Sequence, residues 1–185
     1  FPTAHASRSI KNLKVRANSS NKAMSWPSCR RSVVADAMAS SIPIDVALCS
    51  NAFEPLAELQ QWPHHQSNAA TGIFIGRMRS QGSSAEELEA MQLEHYPGMT
   101  ERQLQHLASD AAASHGVRAV LIRHRIGRVT PNQTLVLVAV SADRRGPAQR
   151  CCQALLEAIK HDAPFWKQEI SRSGDRRWIE GNTPL

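Results

Sequence analysis

No apolar run in the sequence approaches the roughly eighteen residues that a membrane-spanning helix needs, so a spanning helix is excluded. Cysteine is scarce, with four residues at Cys29, Cys49, Cys151 and Cys152, and no C-x-x-C spacing that would suggest a zinc site or a redox pair. The adjacent Cys151 and Cys152 fall in a helical pattern, where a mutual disulfide would be strained. They read as small core hydrophobes, and so few cysteines fit a reducing compartment. Carboxylates are missing altogether before Asp36. There is no G-x-G-x-x-G, P-loop, H-E-x-x-H or G-x-S-x-G, which removes the commonest nucleotide, zinc-protease and serine-hydrolase readings. No internal repeat is present.

The formal net charge of +6 is concentrated at one end. Arg8, Lys11, Lys14, Arg16, Lys22, Arg30 and Arg31 precede the first acid, and removing these seven from 22 basic residues leaves 15 against 16 acidic ones. Residues 36–185 therefore carry −1, whereas a nucleic-acid-binding domain keeps its excess positive charge on the folded part. No nucleic-acid partner is expected. Residues 1–40, basic and rich in Ser and Ala, lack sustained periodicity. They read as a disordered extension, an organelle presequence or a segment foreign to the natural chain. The chain starts at Phe1 and not Met, which leaves these readings open. Residues 41–185 are then the structured domain, with an apolar share of 42% over the whole chain sufficient for a core.

Ile44, Val46 and Leu48 alternate with Asp45 and Ala47, which predicts a first strand. Phe53 to Trp62 reads as a short amphipathic helix with Leu56 and Leu59 on its apolar side. A second strand runs from Ala70 to Met78, a polar loop from Ser80 to Glu87, and a third strand from Ala90 to His95, stopped by Tyr96-Pro97-Gly98. Thr100 and Gln103 fit a capping box, and Leu104, Leu107, Ala108 and Ala111 follow at helical spacing until Gly116. Val117 to Val129 and Thr134 to Val140 are β-branched runs, read as a hairpin about Thr130–Gln133. A last helix is expected from about Pro147, with Cys152, Leu155, Leu156 and Ile159 on its apolar face, ending before Pro164. This order predicts an α+β fold with a largely antiparallel sheet.

Cations stand at the ends of these elements. Arg77 and Arg79 close a strand two residues apart and so point the same way. Arg144 and Arg145 precede a helix whose N-terminal N–H groups suit an anion. Lys160 ends that helix, and Lys167 follows a Pro-Phe-Trp bend that can return it to the same region. Singly, each has an ordinary reading: Lys160 a solvated helix end, Arg77 and Arg79 partners of Glu86 or Glu87, Lys167 a cation–π contact of Trp166. His64-His65 lacks a third ligand and reads as solvent-facing, and His124 as a packed neutral imidazole. No metal or cofactor is expected. The residues alone reach a pocket for an anionic ligand.

Taken together, Phe74–Arg79 (FIGRMR), Leu93–Glu101 (LEHYPGMTE), Ile122–Val129 (IRHRIGRV), Val138–Arg145 (VAVSADRR) and Lys160–Glu169 (KHDAPFWKQE), closed by Gly174-Asp175-Arg176 and Trp178, resemble the signature blocks of the molybdopterin synthase large subunit over about residues 42–182. The resemblance implies an α/β hammerhead-type fold with an added small antiparallel subdomain, in the cytoplasm. It implies a sulfurtransferase in molybdenum cofactor biosynthesis, acting on cyclic pyranopterin monophosphate. Sulfur would come from the C-terminal Gly-Gly thiocarboxylate of a small ubiquitin-like subunit, with two large subunits as a homodimer inside a heterotetramer. Lys160 and Lys167 match the essential lysines. Arg77, Met78, Arg79 and Arg144 match the substrate-anchoring segments, and Gln168 and Glu169 the segment completing the pocket. Asp143 stands where the family usually has His, and Asn182 where a basic residue is common. Asp143 is therefore expected to pair with Arg144 or Arg145. The alternatives are a catalytically weakened relative that serves as a dimeric scaffold for the small subunit, and a nucleic-acid binder acting through the basic tail.

Overall fold

Seven consecutive buried residues, Ala119–Arg125, form the central strand of the molecule. In the computed structural model, residues 42–82 and 85–179 are described, so the expectation for residues 1–40 lies outside them. Eleven elements run in the order β1 (Ile44–Cys49), α1 (Pro55–Gln61), β2 (Ala70–Arg77), β3 (Leu88–His95), α2 (Met99–His115), β4 (Ala119–Arg125), β5 (Gly127–Val129), β6 (Thr134–Ala142), α3 (Arg145–Asp162), β7 (Phe165–Ser171) and β8 (Arg176–Trp178). Two four-stranded sheets result, ordered β1-β4-β6-β2 and β5-β3-β7-β8. Only the β1–β4 pairing is parallel, so the fold is α+β with mostly antiparallel sheets.

Alternation along β4 and β6 divides the apolar residues between two layers. Val120, Ile122, Val138 and Val140 meet Leu104 and Ala108 of α2 and Cys151, Leu155 and Ile159 of α3. Leu121, Leu137 and Ala139 face the other way, onto Phe53, Leu59 and Trp62 around α1. Arg123 shares this second face. Its buried guanidinium is held at 2.9 Å by Asp45 and 2.8 Å by Glu58, tying β4 to β1 and α1. Cys151 and Cys152 are buried free thiols, pushed up to about 11 by burial, as core hydrophobes would be.

Several boundaries differ from the sequence reading. Val117 to Val129 is not one strand: Gly127, at φ +74°, turns the chain out of the first sheet, and β5 pairs with β3 of the second. Thr130–Gln133 is thus a connection between sheets and not a hairpin turn. The α2 cap is Gly98, whose N–H donates to Glu101 Oε2 at 2.6 Å, in place of Thr100 with Gln103. Thr100 is buried instead, its hydroxyl accepting from the Tyr96 N–H at 3.1 Å. Leu56 is exposed, leaving Leu59 to seat α1. The last helix starts two residues before Pro147, at Arg145. Strands β7 and β8 continue where only a bend was expected, and Ala163–Phe165 delivers α3 into the second sheet.

Candidate functional site

The two sheets meet where β2 ends, β7 begins and α3 stops. Strand β2 shifts register between Gly76 and Arg77, and Met78 then bonds to the 130–133 connection through Gln133 O at 2.9 Å and Asn132 N at 2.8 Å. Met78 is thereby buried, with Arg77 and Arg79 exposed on either side. Across from them, α3 brings Ile159 and Lys160, and β7 brings Phe165 and Lys167 from alternate positions on one face. These residues and His124 of β4 line one cavity of about 330 Å³, floored by Met91, Leu93, Leu156 and Ile179.

The cavity's chemistry is cationic over an apolar floor. Lys167 is half-buried, and burial, followed by the charge of Lys160, lowers its pKa from the ordinary lysine range. Lys160 lies 3.9 Å from Glu157, one turn back on α3. His124 stacks on Phe165 with ring centroids 4.0 Å apart and planes 13° from parallel. Its Nδ1 is 2.8 Å from the Arg125 carbonyl oxygen. Burial, with a smaller contribution from Lys167, pushes its pKa down to about 4, so the ring is neutral at neutral pH.

Of the residues singled out in the sequence, Arg77, Met78, Arg79, Lys160 and Lys167 converge here. Asp143, Arg144, Gln168 and Glu169 do not line this cavity. Asp143 pairs with Arg118 at 2.6 Å, which lowers its pKa, and not with Arg144 or Arg145. Arg144 caps α3 from the surface. Gln168 lies on the opposite face of β7 from Lys167. Glu169 shares the Lys167 face but is buried further along, 3.2 Å from Arg177. Two of the ordinary readings are also displaced. Glu86 pairs with Arg177 and Glu87 with Arg172, not with Arg77 or Arg79. Trp166 packs against Tyr96 on the outer face, 5.3 Å between centroids, away from Lys167. His124 was read as a packed imidazole; its place in the alternation of β4 beside Ile122 puts it at the cavity wall as well. Among the described residues no group of His, Cys, Asp and Glu could hold a metal ion, and no helix is long and apolar enough to cross a membrane.

An α+β domain with four cations gathered over an apolar cavity has the chemistry to hold an anionic organic ligand. The family follows from comparison. The profile described as MoaE protein matches residues 48–162, and the chain belongs to that family. It is similar to the molybdopterin synthase catalytic subunit of Haemophilus influenzae, at 34% identity over 74% of this chain and 90% of that one. The protein of the same name from Pseudomonas aeruginosa is 37% identical over 70% of this chain and 86% of its own length. The solved structure of a molybdopterin biosynthesis MoaE protein from Burkholderia ambifaria superposes with a TM-score of 0.62 and 33% identity, covering 77% of this chain and 92% of the other.

Proposed function

We propose that this chain is the catalytic subunit of a molybdopterin synthase and that its cationic cavity is where sulfur reaches the pterin. The observation that carries the reading is the convergence of Lys160 and Lys167 with Arg77 and Arg79 in one cavity of a MoaE-family chain. The substrate is cyclic pyranopterin monophosphate, and the donor is the Gly-Gly thiocarboxylate of a small ubiquitin-like subunit.

Each group has a physical role in this chemistry. The planar guanidinium forks of Arg77 and Arg79 match a phosphate's paired oxygens. Lys167, whose pKa burial and the charge of Lys160 lower from the ordinary lysine range, is the group placed to exchange a proton with the pterin. Lys160 holds the thiocarboxylate, whose sulfur bonds to a side-chain carbon of the pterin as an oxygen substituent leaves that carbon, and stabilises the oxyanion formed when water then attacks the resulting thioester carbonyl. The carbon–sulfur bond to the carrier then breaks, leaving a glycine carboxylate. The apolar floor of Met91, Leu93, Leu156 and Ile179 keeps bulk water from the reacting atoms.

Asp143, Arg144, Gln168 and Glu169 take no part in this cavity from the same chain. A homodimer of large subunits within a heterotetramer, a cytoplasmic location, and residues 41–185 as the family domain beyond an extension of residues 1–40 complete the proposal. The test is reconstitution with thiocarboxylated small subunit and cyclic pyranopterin monophosphate, which yields the dithiolene product. Small-subunit binding without turnover would instead favour the scaffold reading.

A further inference from the structure

The hydrogen-bonding inventory of the cavity is one-sided. Arg77, Arg79, Lys160 and Lys167 in their charged forms only donate, and the other lining side chains except His124 are apolar or thioether. His124 Nδ1 is 2.8 Å from the Arg125 carbonyl oxygen, which can only accept, so Nδ1 carries the ring proton. Nε2 is then a bare lone pair. It has no hydrogen-bond partner among the described residues and is not sealed from solvent, so it opens on the cavity that the ring lines. The stack on Phe165 fixes the ring's plane. The charged groups facing it are Lys167 from β7, Lys160 from α3, and Arg77 and Arg79 at the end of β2, with no carboxylate in the lining to favour a second ring proton.

We infer that His124 is a specificity-determining residue whose Nε2 accepts a hydrogen bond from an N–H or O–H donor on the body of the ligand that the four cations hold by its anionic group. A ligand that fits both halves is an anion carrying a donor-rich heterocycle. Simple anions satisfy the cations alone. The inference rests on the reading of the cavity as a pterin monophosphate site, since a pterin ring presents several N–H donors.

His124→Phe keeps a ring on Phe165 and removes the acceptor. His124→Gln removes the ring and puts an amide oxygen near the position of Nε2. In the reconstituted enzyme, KM, kcat and the Kd for cyclic pyranopterin monophosphate are measured, with sulfate as a competing anion that carries no donor. Leaving a ligand donor unpaired weakens binding by roughly tenfold to a hundredfold, so His124→Phe raises Kd and KM by that factor with a smaller change in kcat. His124→Gln recovers most of the loss, and sulfate competes equally in all three proteins. Pterin binding within twofold of wild type in His124→Phe overturns the inference. So do equal losses in both variants, or a parallel loss of sulfate, because each assigns the effect to packing. If wild type turns over the pterin and His124→Phe is unaffected, the inference alone fails. If wild type neither binds nor converts the pterin, the proposed function fails and takes this inference with it.

Discussion

Protonating His124 should destabilise the fold as the pH falls through the range between its ordinary and its native pKa. The ring is buried against Phe165 beside Lys167, and its pKa is held at about 4 against an ordinary value of 6.5. The unfolded chain therefore binds more protons than the native state between these two values, and stability rises with pH across that window. Reading downward, the stabilisation of the neutral ring is present at pH 7, starts to fall near 6.5 and is largely lost by 4. A shift of this size corresponds to about 3 kcal/mol between pH 7 and pH 4. The assay is urea unfolding of wild type and His124→Phe at pH 7, 5.5 and 4. Other groups titrate in both proteins and cancel in the difference. Wild type should lose about 3 kcal/mol more than the variant on going to pH 4. Equal losses would mean that the imidazole is already charged at neutral pH, and the bare lone pair at Nε2 would go with it.

Lys160→Ala and Lys167→Ala should each lower molybdopterin formation by on the order of a hundredfold, with normal melting and only a small change in small-subunit affinity, measured by reconstitution and calorimetry. Lys160→Met should raise the pKa of Lys167 only part of the way back, because burial is the larger cause; a full return, followed by NMR titration, would contradict this. Arg123→Met should cost about 3–5 kcal/mol in urea unfolding, since it strands Asp45 and Glu58 beside a buried apolar layer. Asp143→His should leave melting unchanged and keep or raise turnover, because the Arg118–Asp143 pair is exposed and Asp143 does not line the cavity. A collapse of turnover in a folded Asp143→His protein would refute that.

The central strands and the two long helices were legible because periodicity is a local signal, Arg77, Arg79, Lys160 and Lys167 stood out as cations at element ends, and Met78 entered only through the resemblance. What was misread depends on contacts far along the chain. The β-branched run Val117 to Val129 hides a break, since nothing in the residues themselves says that Gly127 leaves one sheet for another. The sequence reads no further than a Pro-Phe-Trp bend before Lys167, but β3 supplies the ladder that makes Phe165–Ser171 a strand. The choice of cap at α2 turned on Glu101 reaching the Gly98 N–H, a competition that spacing alone leaves undecided between two overlapping boxes. Asp143, Arg144, Gln168 and Glu169 sit within blocks that resemble the family's but do not line this cavity of the same chain. On β7, Lys167 and Gln168 point to opposite sides of the sheet. His124 was visible as buried, but its role at the cavity required the second sheet to be in place.

The most direct measurement is single-turnover reconstitution of this chain with a thiocarboxylated small subunit and cyclic pyranopterin monophosphate, following the sulfur from carrier to product by mass spectrometry. The proposed site predicts dithiolene formation by wild type, with the carrier returned as a glycine carboxylate, and near-abolition in Lys160→Ala and Lys167→Ala. Wild-type rates in both lysine variants, or no sulfur transfer by the wild-type complex, would contradict it.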